Sequence, residues 1–274
     1  MHRRNRLGWG GLAVLVTVAV LGGCSKSQEK LHNGSPMDIL VYDVFGQERE
    51  ASYYYQIVRD SHDQERFCYQ CTQDPYLVDK NIDAVSKLGG ASFSRLEGQA
   101  LVVGKLSEVL LEDPSALAQA NAATSLAQIG LKLPRYPQRG PKEEGARFVQ
   151  ILRELDALYD TGSCPPTAAA KQRAAYLITE IGDFQIEDLV LAKESLRPFS
   201  NRPFLIDETD PVVRRAIDTA LTKRMYSLIR VALIAAVPAS SPWVRTDAIR
   251  GLKVLGERGA MDTVLRQLEV ETKY

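Results

Sequence analysis

Histidine is almost missing from this chain. Of three in 274 residues, His2 and His32 lie before the body of the protein and only His62 lies within it. A Ser-His-Asp or Cys-His catalytic unit would have to be built on that single imidazole, and no GxSxG elbow accompanies it. The phosphate-cradling patterns GxGxxG and GxxxxGK[ST] are absent too, which removes the usual dinucleotide and nucleoside triphosphate sites. Charge of one sign is lacking: 34 Lys and Arg balance 34 Asp and Glu, and the basic residues are spread among acids. Such a chain advertises no nucleic-acid partner. Carboxylate pairs such as Glu143/Glu144, Glu154/Asp156 and Glu187/Asp188 fall on amphipathic helical patterns and read as solvated faces. No small-molecule substrate and no cofactor is indicated, and the expectation is a protein that is not an enzyme.

What is present begins at the N-terminus. Arg3, Arg4 and Arg6 precede the ten-residue apolar run Leu12–Leu21, LAVLVTVAVL. A bilayer span needs about 20 such residues, so this is the geometry of an export signal. Leu21-Gly22-Gly23-Cys24 follows directly and resembles the lipobox of bacterial lipoproteins. The resemblance implies a signal peptide at 1–23, a lipidated Cys24 at the new N-terminus and a bilayer as one partner. Residues 24–36, the Cys and SKSQEKLHNGSP, are then a polar tether. Ser25 stands where an Asp often retains such proteins at the inner membrane, so the expected location is the outer membrane with the chain facing the periplasm.

Lipidation of Cys24 leaves Cys68, Cys71 and Cys164, an odd number, in an oxidising compartment. Cys68-Tyr-Gln-Cys71 is a CxxC without the surrounding βαβ alternation of the redox fold, without the His at position 72 that c-type haem requires and without a His pair for zinc. A structural disulfide among the three, local or long-range, with one thiol left over is the simpler reading. The alternative function is redox or cofactor handling by Cys68 and Cys71.

Residues 37–73 form an N-terminal segment whose part from Glu48 to Asp60 is expected to be helical. The run Tyr53, Tyr54, Tyr55 then turns one ring inward and at least one outward, because neighbours on a helix are about 100° apart. From Asp74 one helical phrase recurs: DPYLVDKNIDAVSKLG, DPSALAQANAATSLAQIG from Asp113, PTAAAKQRAAYLITEIG from Pro166, DPVVRRAIDTALTKR from Asp210 and SPWVRTDAIRGLKVLG from Ser241. Asp or Ser suits the N-cap and Pro the first turn, where its missing N–H costs nothing. Aligned on the closing glycines, Ala122, Leu126, Ile129 and Gly130 match Ala174, Ile178, Ile181 and Gly182, and Ala248, Leu252, Leu255 and Gly256. Steps of four, three and one are helical. The expectation is that Ala admits a neighbouring helix, Leu and Ile fill the gap, and Gly ends the helix in the left-handed conformation. The Asp210 phrase keeps Ala216, Ala220 and Leu221 without a closing Gly. Between the phrases lie partner helices at Phe93–Leu111, Glu143–Tyr159, Ile186–Leu196, Met225–Val237 and Met261–Val270, with apolar stripes such as Val149, Leu152, Leu155 and Leu158.

Helix after helix makes the fold class all-α. The DP starts, Arg214 and Arg245 three residues after the Pro, the Ala-x-x-x-Leu stripe and the final Gly resemble HEAT repeats. The resemblance implies an α-solenoid of about four to five stacked helix pairs over residues 74–274. The histidine-glutamate metal pairs of HEAT-repeat hydroxylases have no counterpart, since no His-Glu dipeptide occurs. Two loops interrupt the series: Leu133–Pro141 with three prolines, and Leu196–Pro211 with RPF at 197–199 and again at 202–204. Insertions in solenoids gather on one face and carry binding residues. Arg135, Tyr136, Arg139, Arg197, Phe199, Arg202 and Phe204 are therefore the candidate contacts to another protein, although the preferred reading of Phe199, Phe204 and Ile206 is that they fold back on the apolar helix 227–237. The function this implies is a membrane-anchored scaffold in the periplasm.

Overall fold

Ten helices with defined bounds carry the described part of the structure, a computed structural model that describes residues 51–59, 75–136, 145–160, 166–257, 260 and 262–266. They are α1 (Pro75–Gly90), α2 (Leu96–Glu112), α3 (Ala116–Lys132), α4 (Ala146–Tyr159), α5 (Ala168–Asp183), α6 (Leu189–Glu194), α7 (Arg197–Asn201), α8 (Pro203–Ile206), α9 (Pro211–Ala236) and α10 (Pro242–Leu255). Residues 51–59 and 262–266 are also helical, and no strand occurs among the described residues. The chain divides into Met1–Asp43, which holds no described residue, and Val44–Tyr274. The all-α class is thus what the structure shows.

Side-chain caps explain where α3, α5, α6 and α9 begin, whereas Ser241, expected to cap α10, makes no such bond. Asp210 accepts from the backbone N–H of Val212 at 2.9 Å and of Val213 at 3.4 Å, with Pro211 opening the helix. Thr167 caps α5 through Ala170 and Ser115 caps α3 through Ala118. That last cap corrects the expectation for Asp113. Its carboxylate sits two residues upstream, nearly fully buried, accepting from the Ser115 N–H at 2.8 Å and from the Asn81 side chain at 3.3 Å. Asp113 therefore shapes the turn and ties α1 to α3.

The aligned stripe is the core. Ala122, Leu126, Ile129, Ala174, Ile178, Ile181, Ala248, Leu252 and Leu255 are all buried, as are Ala84 and Leu88. Each large aliphatic side chain withdrawn from water contributes about 1.5–3 kcal/mol. The glycines act differently from expectation. Only Gly256 takes the left-handed conformation, at φ 67°, ψ 30°. Gly89, Gly130 and Gly182 lie inside their helices at points of close approach: a Cβ would stand 2.7 Å from Ser125 Cα, 2.9 Å from a Leu255 methyl and 2.9 Å from Ala220 Cα, respectively. They are small because another helix occupies the space.

Those approaches give the packing order. Asn121 donates to the Ile82 carbonyl, the Ser125 hydroxyl to that of Val85 and Lys132 to that of Gly89, so α1 and α3 climb side by side in the same direction. On the other face of α3, Ala127 meets Gly251 and Gly130 meets Leu255, which makes α10 its second parallel neighbour. α5 instead runs beside the first half of α9, from Lys171 near Glu208 to Gly182 on Ala220. The phrases therefore do not stack in chain order. α9 joins the two groups, since its second half places Ile229 near Gly130 and Leu233 against Gly251, and the helix also packs on α2.

Two helices expected from the pattern, Asp210–Arg224 and Met225–Val237, are one 26-residue helix. Neither Gly nor Pro separates them, so nothing stops the hydrogen-bond ladder. Within it Arg224 is 1% exposed, and its Nη2 donates to the carbonyls of Gly182 at 2.8 Å and Phe184 at 2.6 Å, satisfying orphan acceptors at the end of α5. In α4 the buried stripe is Phe148, Ile151 and Leu155, rotated from the expected one so that Val149 is exposed. At 51–59, Tyr55 is buried and Tyr53 exposed.

Candidate partner-binding cleft

The Leu196–Pro211 segment is largely folded away. Phe199 is 1% exposed, which corrects its placement as a surface contact; the short helix that carries it packs against α2. Arg202 forms a two-pronged ion pair with Asp156, at 2.7 and 2.9 Å, and Phe204 stacks on Tyr159 with centroids 4.3 Å apart. Asp156 and Tyr159 are one turn apart on α4, so the second RPF pins α8 onto that helix. Arg197 is exposed and pairs with Glu194. Glu154 and Asp156, read as solvated, are engaged by Arg173 and Arg202. Cys24, Cys68, Cys71, Cys164 and Arg139 lie outside the described residues.

Beside Tyr159 stands a second polar knot. Glu208 is 4% exposed in its side chain and accepts from the Tyr159 hydroxyl at 2.6 Å, the Asp210 N–H at 2.8 Å and Lys171 at 3.3 Å. Burial by itself would raise its carboxyl, but the three donors together hold it below the ordinary value. Every oxygen is committed within the fold, so this cluster is structural.

Arg135 and Tyr136 stand apart from all of these. α3 ends at Lys132, Pro134 prevents its continuation, and the next two side chains emerge beside the end of α10. α10 stops at Gly256, whose left-handed conformation lets the N–H groups of Gly256 and Glu257 close back on Leu252 and Lys253. Tyr226 and Arg230, four residues apart and therefore on one face of α9, supply the floor. Arg135, Tyr136, Tyr226, Arg230, Leu255, Gly256 and Glu257 line an open cleft of about 380 Å³.

Its electrostatics are uneven. The Tyr226 hydroxyl donates to Glu257 at 2.7 Å. Burial, reinforced by that carboxylate, pushes the Tyr226 phenol up to about 12, while Arg135 and Arg230 pull the other way. The hydroxyl is thus a donor at all ordinary pH. Tyr136 keeps its ring over Lys223, 5.2 Å from the centroid, and Lys223 is itself paired with Asp183. Arg135 and Arg230 form no ion pair with any described residue, and Arg230 Nε is shut off from solvent without an acceptor. Arg135 Nη1 lies 3.3 Å from the point where a Gly256 Cβ would be. The negative ends of the α3 and α10 dipoles favour cations here by about 0.3–1 kcal/mol each. A charge-assisted hydrogen bond contributes about 1.5–3 kcal/mol, so the dipoles leave most of the binding capacity of both guanidiniums unused.

Only Arg135 and Tyr136 of this cleft were legible as candidates. Tyr226, Arg230 and Glu257 sit in ordinary amphipathic pattern; the single available hint was the four-residue spacing of Tyr226 and Arg230. Among the described residues no group of three or more His, Cys, Asp and Glu is placed to hold a metal, and no helix is long and apolar enough to cross a membrane. Comparison with protein-family models, with curated proteins and with solved structures finds no match.

Proposed function

We propose that this chain is a non-enzymatic lipoprotein, anchored in the outer membrane through an acylated Cys24, whose stacked helices present a binding surface to another protein in the periplasm. The observation that carries the reading is the cleft at Arg135, Tyr136, Tyr226 and Arg230. Tyr and Arg are the side chains that anchor interfaces, because each brings a large contact area and directed donors at modest entropic cost. Here two of each meet where irregular chain leaves α3 and α10, and neither arginine is paired with an acid among the described residues. The anchor is supported by the cationic start, the apolar run and Leu21-Gly22-Gly23-Cys24. The parallel pairs α1–α3 and α5–α9 support a HEAT-like arrangement of consecutive phrases, while α10 against α3 departs from the chain-order stacking of a regular solenoid.

The test is affinity purification of the full chain from detergent-solubilised membranes, wild type beside Tyr136→Ala. A partner recovered with the first and lost with the second, in equally folded proteins, supports the reading. Equal recovery by both, or recovery of nothing by either, contradicts it. Cys24→Ala separately tests the anchor: the variant is expected to leave the membrane fraction and to incorporate no labelled palmitate.

A further inference from the structure

We infer that the Arg135–Arg230 cleft recognises a carboxylate, an Asp or Glu side chain on an acidic peptide segment of the partner, and that Glu257 holds part of that site when no ligand is bound. The inference deepens the protein-binding reading above and rests on it.

Three observations lead there. First, two guanidiniums line one cleft without an ion pair to any described residue, and the planar fork of Arg matches a carboxylate through two parallel N–H···O bonds. Second, the site already accommodates a carboxylate, because Glu257 accepts a hydrogen bond from the Tyr226 hydroxyl at 2.7 Å. It does so from the residue that follows the Gly256 turn, so its reach into the cleft is set by that left-handed backbone. Third, the two arginines exceed Glu257 by a single positive charge. One monoanionic group completes that balance, whereas a dianionic phosphate would meet the Glu257 carboxylate inside the same cleft. The volume of about 380 Å³ exceeds a lone carboxylate and suits an acidic side chain with an aliphatic neighbour laid against Leu255 and the open face of Tyr136.

The sign of each substitution follows. Removing Arg135 or Arg230 deletes a charge-assisted contact and weakens binding about tenfold. Glu257→Gln removes both the like charge and the internal competitor, so it strengthens binding severalfold. A purely structural role for these residues, neutralising the ends of α3 and α10, gives no such gain.

The experiment is fluorescence anisotropy of a labelled blocked hexapeptide, Gly-Leu-Glu-Leu-Glu-Gly, and its Gln counterpart, titrated with the full chain in detergent at low salt. Tighter binding of the Glu peptide by tenfold or more, lost in Arg135→Ala and enhanced in Glu257→Gln, is the expected result. Equal binding of the two peptides, no change in Arg135→Ala, or weaker binding in Glu257→Gln overturns the inference. So does displacement of the Glu peptide by inorganic phosphate at a concentration where acetate leaves it bound, which would make the cleft a phosphate site. Arg135 is exposed, so its variant keeps the test open even where Arg230→Ala fails to fold. Failure here with the partner still lost in Tyr136→Ala would sink the carboxylate and leave the protein-binding reading standing.

Discussion

Replacing Gly89 by alanine is expected to destabilise the protein, although alanine is the better helix former. A Cβ at position 89 would stand 2.7 Å from Ser125 Cα, 2.7 Å from its hydroxyl and 2.6 Å from Gln128 Oε1. Carbon atoms in contact sit about 3.5–4.0 Å apart, so close to an ångström must be recovered. The Gln128 amide can swing aside, but Ser125 Cα belongs to the α3 backbone and its hydroxyl is held by Val85 at 2.8 Å. α1 and α3 would have to separate, stretching the Asn121–Ile82 and Lys132–Gly89 bonds as well. Overpacking of this kind costs about 1–3 kcal/mol, and the strained hydrogen bonds contribute about 0.5–1.5 kcal/mol each. The propensity gain of Gly to Ala is at most about 1 kcal/mol and shrinks near a helix end. The net is a loss of about 1–3 kcal/mol, which for a chain this size lowers Tm by roughly 2–10 °C. Gly104→Ala, in the middle of α2 with nothing within 4 Å of its Cβ, should move the other way, gaining about 0.5–1 kcal/mol. Far-UV circular dichroism melts of both variants check the pair. A Tm that rises in Gly89→Ala as it does in Gly104→Ala would refute the close parallel packing of α1 on α3.

Two further perturbations probe other joints. Arg224→Met should cost about 2–4 kcal/mol in urea denaturation, because it strips the donors from two buried carbonyls at the end of α5; Arg250→Met, at an exposed pair, should stay within about 0.5 kcal/mol. Glu208 should contribute to acid sensitivity, since its carboxyl lies below its ordinary value of 4.5 in the fold, as do those of Glu108, Glu154 and Asp156 below theirs. A depressed carboxyl lends stability that is fully present above the ordinary value and is lost as pH falls through the folded one, so the loss belongs below about pH 4.5. Tyr159→Phe removes one of the three donors, and a flatter stability curve over that acid range than in the wild type is the expected result.

How much of this was readable beforehand follows from what periodicity encodes. The stripe Ala122, Leu126, Ile129 and its copies at 174–181 and 248–255 named core positions correctly, because a buried helix face leaves a 3.6-residue record in sequence. The same record is silent on which helix covers the face. That α3 meets α10 while α5 meets α9 depends on surfaces far apart in the chain, and five similar phrases carry no mark of their spatial order. The glycines show the same ambiguity: a small residue near a helix end serves a left-handed stop or a close approach equally well, and only Gly256 is the stop. Nothing in the sequence marked Arg224 as buried, since the orphan carbonyls it reaches belong to a segment 40 residues away. In the site, Arg135 and Tyr136 stood out because prolines mark their segment as irregular, whereas Tyr226 and Arg230 were hidden in regular helix.

The claim that this cleft is where the protein meets its partner can be tested in place. A photoactivatable benzoylphenylalanine at position 136, in chain expressed at native level and irradiated in intact cells, should yield one discrete higher-mass adduct. That adduct should vanish when Arg135→Ala and Arg230→Ala are added, and should not form from the same probe at position 212, whose Val is 60% exposed on the first turn of α9. No adduct from position 136, or the same adduct from both positions regardless of the arginines, would contradict it.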